Sequence, residues 1–314
     1  MVRFLTVRLS LIVVTLLVVS LAIFTTTEVL PGDVAVMMLR QGATEQNLKK
    51  VREDLCLDRP AHVRYVSWIG NVVQGDWGDS YFLKRPIVDI VRGRLGNSII
   101  LAVFAFLVAV PTAVGAGIWA GVRPDTLGDR IVSLTSLVGI SLPEFVTGVL
   151  FIVLFSSWLG LFPSTSIVLA GTNPLTRPQI LVLPTLTLTG VLFAYVMRMT
   201  RANVIEVMQT HYVRTAILKG LSMRRVIFRH VVPNAMLPTI TIIASNIGWM
   251  LGGLIIVETV FAYPGLGQLV LKSIQTRDVP LMQALALLVA ATYAISNLVA
   301  DLSYAALDPR IRLA

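Results

Sequence analysis

Residues 212–238 read YVRTAILKGLSMRRVIFRHVVPNAMLP, a basic stretch set between two long apolar runs. Upstream and into it, apolar or small side chains recur at 204, 208, 212 and 215/216, the stripe of a helix over 204–219. Gly220 stands where a left-handed cap would end that helix. Ser222 then reads as the N-cap of a second helix that runs to about Val232, with Pro233 forcing its end. Arg214, Lys219, Arg224, Arg225 and Arg229 fall on the exposed faces, and the stretch holds no obvious nucleophile or metal cluster. Basic residues at an inner leaflet can simply meet anionic lipid. That use does not by itself require a compact helix–glycine–helix unit between two apolar runs.

The surrounding chain is mostly oil. Of its 314 residues 55% are hydrophobic and 14% charged, with a mean hydropathy of +0.80, whereas ordinary soluble domains carry about 25% charge. An integral membrane protein is the class this leaves. A helix crossing the hydrocarbon needs about 20 apolar residues, and six stretches qualify, roughly 9–30, 98–122, 131–160, 179–198, 237–262 and 281–307. The run from Leu9 continues to Leu30, past the weak cleavage-like Ser20-Leu21-Ala22, which favours a retained first span over a removed signal peptide. Segment 199–236 holds six basic residues against Glu206 alone, Arg3 and Arg8 precede the first span, and Arg310 and Arg312 follow the last. With six spans all of these share one side, which the positive-inside rule makes the cytoplasm. The net charge of +9 is then a matter of loops rather than of nucleic acid.

Four regions follow: 1–30 with the first span, an outer segment 31–97, a core of five spans over 98–307 that includes the loop 199–236, and a cytoplasmic tail 308–314. The outer segment carries ten basic and eight acidic residues. Leu48, Val51 and Leu55, and after Pro60 also Val63, Val66, Ile69 and Val73, recur at the spacing of short amphipathic helices. Gly75-Asp76-Trp77-Gly78-Asp79 reads as a turn with an interfacial tryptophan. Cys56 is the single cysteine, so no intrachain disulfide forms, and an inert thiol is the plain reading.

Glu28, Arg198 and Glu258 stand at span ends, and Asp301 lies toward the cytoplasmic half of the sixth. No span carries a deep charged pair, which weakens an ion-coupled secondary carrier or channel. There is no Gly-x-x-x-x-Gly-Lys-Ser/Thr loop to cradle ATP. His62, His211 and His230 lack zinc-ligand spacing, so no metal and no catalytic residues are expected. Gly117-x-x-x-Gly121 in the second span favours close helix packing. Pro111 and Pro184 free carbonyls that a neighbour must satisfy. In the fifth span Ser245, Asn246, Gly248, Met250 and Gly252 bring small, polar and flexible groups together, where packing and pore lining stay equally open.

The stretch 212–238 resembles the cytoplasmic "EAA" loop of permease subunits of ATP-binding-cassette importers, in their dipeptide/oligopeptide/nickel branch. Arg214-Thr215-Ala216 stands at the Glu-Ala-Ala position, Gly220 at the glycine and Val232-Pro233 at the Leu-Pro. Tyr212 through Leu221 matches the branch's own form closely, and Arg229-His230, Asn234-Ala235 and Leu237-Pro238 continue it. His211, where the branch usually has an acid, and Ile217-Leu218 depart from it. Glu258, Phe261, Pro264, Gly265 and Gly267 match a second signature, Glu-x-x-Phe-x-x-Pro-Gly-x-Gly, and Pro31-Gly32-Asp33 and Leu57-Asp58-Arg59-Pro60 fit as well.

The resemblance covers essentially the whole chain and implies an all-α, six-span, type I importer permease in a bacterial inner membrane, both termini cytoplasmic. It implies a second, different permease, two cytoplasmic ATPases that bind ATP and Mg, and a periplasmic or lipid-anchored binding protein received by segments 31–97, 160–178 and 263–280. This chain itself would carry no cofactor and no ATPase activity. The 212–220 helix would be the coupling helix, with Tyr212, Thr215 and Ala216 filling an ATPase groove, Arg214 and Lys219 on its rim, and Gly220-Leu221 making the turn. Glu258 and the Pro264-Gly265 turn would hold or gate the outer end of the fifth span. Peptides are the expected cargo, with a nickel chelate, glutathione or an oligosaccharide as alternatives.

Overall fold

A computed structural model of the chain describes residues 2–29, 44–54, 59–168 and 172–307. Pro31-Gly32-Asp33, Leu55, Cys56, Leu57-Asp58 and the tail 308–314 lie outside the described residues. The described elements are helical: α1 (Val2–Val29), α2 (Glu45–Asp54), α3 (Ala61–Val73), α4 (Ile87–Val122), α5 (Leu127–Ser141), α6 (Glu144–Phe151), α7 (Gln179–Met208), α8 (His211–Leu218), α9 (Met223–Val226), α10 (Val232–Val260), α11 (Leu266–Thr276) and α12 (Val279–Leu307). Wider π turns follow α6 (Ile152–Trp158) and α9 (Ile227–Val231). Five helical runs are long and apolar enough to cross a membrane, or six when the bent pair α5–α6 is taken as one span.

By its contacts the chain forms two units. One comprises Met1–Gly96 with Gly265–Thr292, the other Asn97–Pro264 with Tyr293–Ala314. Segment 265–292, which falls within the expected core region 98–307, thus clusters with the N-terminal part of the chain.

In the first unit α3 packs on α1, and the face it uses differs from the expected stripe. Tyr65 and Trp68 meet Phe24 with ring centroids 5.4 and 6.2 Å apart, and the hydroxyls of Ser20 and Tyr65 bond at 2.8 Å. Val66 and Val73 stay exposed at 68% and 81%, because α1 offers an aromatic partner on the neighbouring face. Glu28 pairs with Arg64 rather than standing alone at its helix end. A second core joins Ile87 and Val91 to Leu269, Leu281 and Leu285, with Trp77 packed against it from the expected turn, where Gly75 and Gly78 have positive φ. Beside it Asp278 is buried and accepts from Ser80 Oγ (2.5 Å) and from the Tyr81 and Phe82 N–H groups (both 3.1 Å).

The second unit is organised on α7. Of its apolar window 56% is buried, against 6% for α1, so α7 is a central helix while most of α1 stays exposed. The α4 helix meets it along a row spaced by four residues: Leu101, Ala105, Ala109 and Ala113, all fully buried, then Gly117 and Gly121. A side-chain carbon at Gly117 would come within 2.7 Å of the Met197 carbonyl, and one at Gly121 within 2.9 Å of the Arg201 carbonyl. Positions rise together along both helices, so the two run parallel at near backbone contact. The packing role read for Gly117-x-x-x-Gly121 is the one the structure has.

Two local readings change. The third span is broken: α5 and α6 bend by 109° where Leu142 is extended ahead of Pro143, the conformation a residue before proline prefers. Pro233 does not end a helix. It sits in the first turn of α10, where its missing N–H is no loss, and the helical path from Met223 runs through the π turn into α10. Pro184 does free the Ile180 carbonyl, and Ser166 Oγ donates to it at 2.5 Å.

Asp129 closes the loop between α4 and α5. It accepts from Arg201 Nε at 2.5 Å and Nη2 at 2.7 Å, from Ser133 Oγ, and from the Asp125 N–H. Because the α4–α7 seam has no room, Gly121→Ile should force the backbones apart and destabilise the protein by about 1–3 kcal/mol. Thermal unfolding in detergent measures this, and an unchanged midpoint would show that the seam is slack.

Candidate functional site

The predicted continuous helix over 204–219 is interrupted: α7 ends at Met208, and Thr210 stands extended ahead of the separate α8, its hydroxyl turned back to Val207 O. The short helix is pinned from inside. Val213 and Ala216 are buried with Val204, Val226, Val231 and Ala235, and Ile118, Val122, Val207, Met208 and Leu221 pack around them. Ala216 therefore faces the chain's own core, where the resemblance had it fill an ATPase groove beside Tyr212 and Thr215, and Leu221 is half-buried beside it. Gly220 ends α8 at φ +77°, with Leu221 N–H donating to Ala216 O (3.3 Å) and Gly220 N–H to Ile217 O (2.9 Å). This is the left-handed cap that Gly, lacking a Cβ, adopts most readily.

What α8 presents outward is Tyr212, Arg214, Thr215, Ile217, Leu218 and Lys219. Leu218 is 80% exposed, and Phe228 beyond the turn is 64% exposed. Apolar side chains set among Arg214, Lys219, Arg224, Arg225 and Arg229 form a surface suited to a protein partner with an apolar groove and an acidic rim. His211 is exposed at the first position of α8, where its carbonyl accepts from Thr215 Oγ1 at 2.9 Å.

A second constellation gathers at the far end of α10. Glu258 is fully buried and accepts from Ser98 Oγ at 2.5 Å. Tyr263 N–H donates to Glu258 O at 2.8 Å, its hydroxyl donates to Asn97 O at 2.9 Å, and Asn97 Nδ2 donates to Pro264 O at 2.8 Å. Ser166 N–H donates to the Phe261 carbonyl at 2.7 Å. Burial, and then the Glu258 charge, push the Tyr263 phenol above its ordinary value, so it remains a donor. The signature divides between the units: Glu258, Phe261 and Pro264 belong to this knot, while Gly265 caps α11 and Gly267 is buried in its first turn. Ala262 makes the turn at φ +52°, a conformation glycine would hold with less strain.

The residues of α10 singled out as path or packing separate by face. Gly248 lies against the Tyr293 ring, and Met250 is buried in the main core. Ser245 and Gly252, two turns apart, lie on the exposed face. Asn246 is half-buried and donates to the Ile242 carbonyl at 2.8 Å. Among the described residues no three His, Cys, Asp or Glu side chains gather as metal ligands.

Several functional groups escape a sequence reading. Ser98, Ser166 and Asp129 carry no local signal, since their partners are distant in the chain. Glu144 did have one: it is an acid in the middle of the third apolar run. It lies at the start of α6 with its carboxylate over the backbone of Gly253.

The knot yields two stability expectations. Tyr263→Phe removes the bond to Asn97 and should cost about 1 kcal/mol. Ala262→Gly relieves the left-handed alanine and should gain up to about 1 kcal/mol. Unfolding midpoints in detergent test both, and a stabilised Tyr263→Phe or a destabilised Ala262→Gly would contradict the assigned geometry.

Comparison with known proteins matches residues 113–313 to the family described as "Binding-protein-dependent transport system inner membrane component". Residues 1–88 match "Binding-prot-dependent transport system membrane comp, N-term". A probable peptide ABC transporter permease protein of Sinorhizobium fredii (strain NBRC 101917 / NGR234) is 36% identical over 299 residues, 94% of each chain. The glutathione transport system permease protein of Escherichia coli (strain K12) is 37% identical over 305 residues, 97% of each.

Proposed function

The chain belongs to the binding-protein-dependent transport system inner membrane component family, the permeases of ABC importers, and on that premise we propose that it forms half of a path for short peptides. In this reading a second, different permease supplies the other half, and an external binding protein delivers the cargo. Two cytoplasmic subunits bind ATP and Mg and hydrolyse the ATP, because this chain lacks a phosphate-cradling loop. The single observation that carries the assignment is α8. It is a short helix with a buried inner face, a left-handed glycine stop and an outward surface that mixes Leu218 and Tyr212 with Arg214 and Lys219.

Mechanism follows from how α8 is held. Its inner face packs on Ile118 and Val122 of α4 and on Val204 of α7, the two helices joined by the glycine seam. Closure of the ATPases against α8 then moves packed helices as rigid bodies rather than bending a loop. The exposed stripe of α10 at Ser245 and Gly252 would face the path in this reading. The cargo assignment is supported by the name of the Sinorhizobium relative. The Escherichia relatives' named cargo, glutathione, is itself a tripeptide.

Gly220→Asp tests the coupling role. A Cβ at Gly220 meets nothing within 4 Å, so the substitution clashes with nothing in the chain and places its carboxylate at the partner surface. At φ +77° it also strains the cap, and Gly220→Asn, which carries the same strain without the charge, is the matched control that should keep most of the uptake. Membrane insertion should be normal, while ATP-dependent uptake falls by at least about tenfold, the equivalent of 1.4 kcal/mol of lost docking. Undiminished uptake would overturn the role. Uptake that needs an ion gradient but no ATPase would instead identify a secondary carrier.

A further inference from the structure

We propose that Glu144 and the glycine notch at Gly253 form an ammonium-binding subsite in the translocation path, one that meets the amino terminus of a passing peptide. The proposal rests on the reading of the chain as a peptide permease and adds to it a specific cargo contact.

Glu144 is placed by the break in the third span. Pro143 follows the extended Leu142, and the chain restarts as α6 with Glu144 at its first helical position. The carboxylate lies on α10 where a side chain is missing: a Cβ at Gly253 would sit 2.6 Å from Oε1 and 2.8 Å from Oε2. Any residue but glycine at 253 would therefore displace it. Gly253 is seven residues before the end of α10 at Val260, roughly 10 Å of helix rise inside that end.

The electrostatics of this position are incomplete. Oε2 is shielded from solvent and has no hydrogen-bond partner. Among the described residues no cation pairs with Glu144, whereas Glu28, Asp129 and Asp278 are each paired or fully bonded. A carboxylate oxygen shielded without a partner in an apolar span is costly, and an acid retained there marks a ligand or ion pathway. The neighbouring Gly252 is open on the exposed face, where nothing lies within 4 Å of its missing side chain, so a solute can come alongside. A peptide's α-amino group, with a pKa of about 7.7–8.0, is largely protonated at neutral pH and offers three donors to such a carboxylate.

The test uses the whole complex, both permeases with the ATPases and binding protein, reconstituted in liposomes. Uptake of trialanine is compared with that of N-acetyl-trialanine for the wild type, Glu144→Gln and Gly253→Ala. The binding protein is common to all three, so its own preference cancels in the ratio. Both variants should assemble normally and lower trialanine uptake about tenfold, as expected for losing a charge-assisted hydrogen bond. N-acetyl-trialanine uptake should not fall, so the preference for the free amine shrinks. A second readout is photo-crosslinking with a tripeptide that carries a diazirine on its first side chain. Crosslinks should fall on 142–148 and 250–256 and vanish in Glu144→Gln.

Equal loss for both peptides would show that Glu144 is held by a residue of the second permease or by structural water, and would overturn the proposal. So would unchanged rates, or crosslinks confined to other segments. A wild-type complex that moves no trialanine with ATP would instead refute the peptide-permease reading itself.

Discussion

The hydrocarbon core of a membrane offers no hydrogen-bond partner, so every backbone group that leaves a helix there must find one inside the protein. This constraint accounts for the polar contacts at Ser166 and around the end of α10. Pro184 breaks the ladder of α7, and Ser166 answers by donating its hydroxyl to Ile180 O and its N–H to Phe261 O. A single serine thereby ties the loop after the third span to α7 and to the end of α10. The turn that ends α10 closes on Glu258 O through Tyr263 N–H, the Asn97 amide satisfies the Pro264 carbonyl, and the Tyr263 hydroxyl donates to Asn97 O in α4. Glu258 lies at zero exposure within this set, with Ser98 donating to its carboxylate.

The glycine seam supplies rigidity. The α4 and α7 helices touch at backbone distance, with Ala and Gly every fourth residue on one side and Thr200, Val204 and Met197 on the other. The α8 helix adds its buried face to the same pair through Val213 and Ala216. A partner pressing on α8 therefore acts on two packed helices at once. The two glycines at 220 and 121 serve opposite ends of this arrangement: one turns the chain in open space, the other lets two backbones meet.

Much of this was legible in the residues. Six apolar runs stood out because lipid requires long uninterrupted stretches, and the left-handed stop at Gly220 was visible because few residues tolerate it. The amphipathic stripe of α8 was less reliable. Ala216 belongs to the motif, yet it lies inside, since periodicity says which residues share a face but not which partner that face meets. The same limit applies to α3, where Tyr65 and Trp68 displaced the valine stripe once Phe24 was opposite. Met250 and Gly248 turned inward for a like reason, with the main core and Tyr293 taking them.

The sequence by itself determined that the chain is helical, spans a membrane and carries a basic helix–glycine segment of a known kind, because hydropathy, charge placement and glycine conformation are local properties. Tertiary structure alone decided the 109° break in the third span, the Ser166 and Asp129 links and the pairing of Ser98 with Glu258. It also decided that Glu144 would rest, unpartnered at Oε2, on a glycine 109 positions along the chain (253 minus 144). Those outcomes depend on which distant groups arrive at one place, and in a bundle that is settled by how closely two backbones can approach.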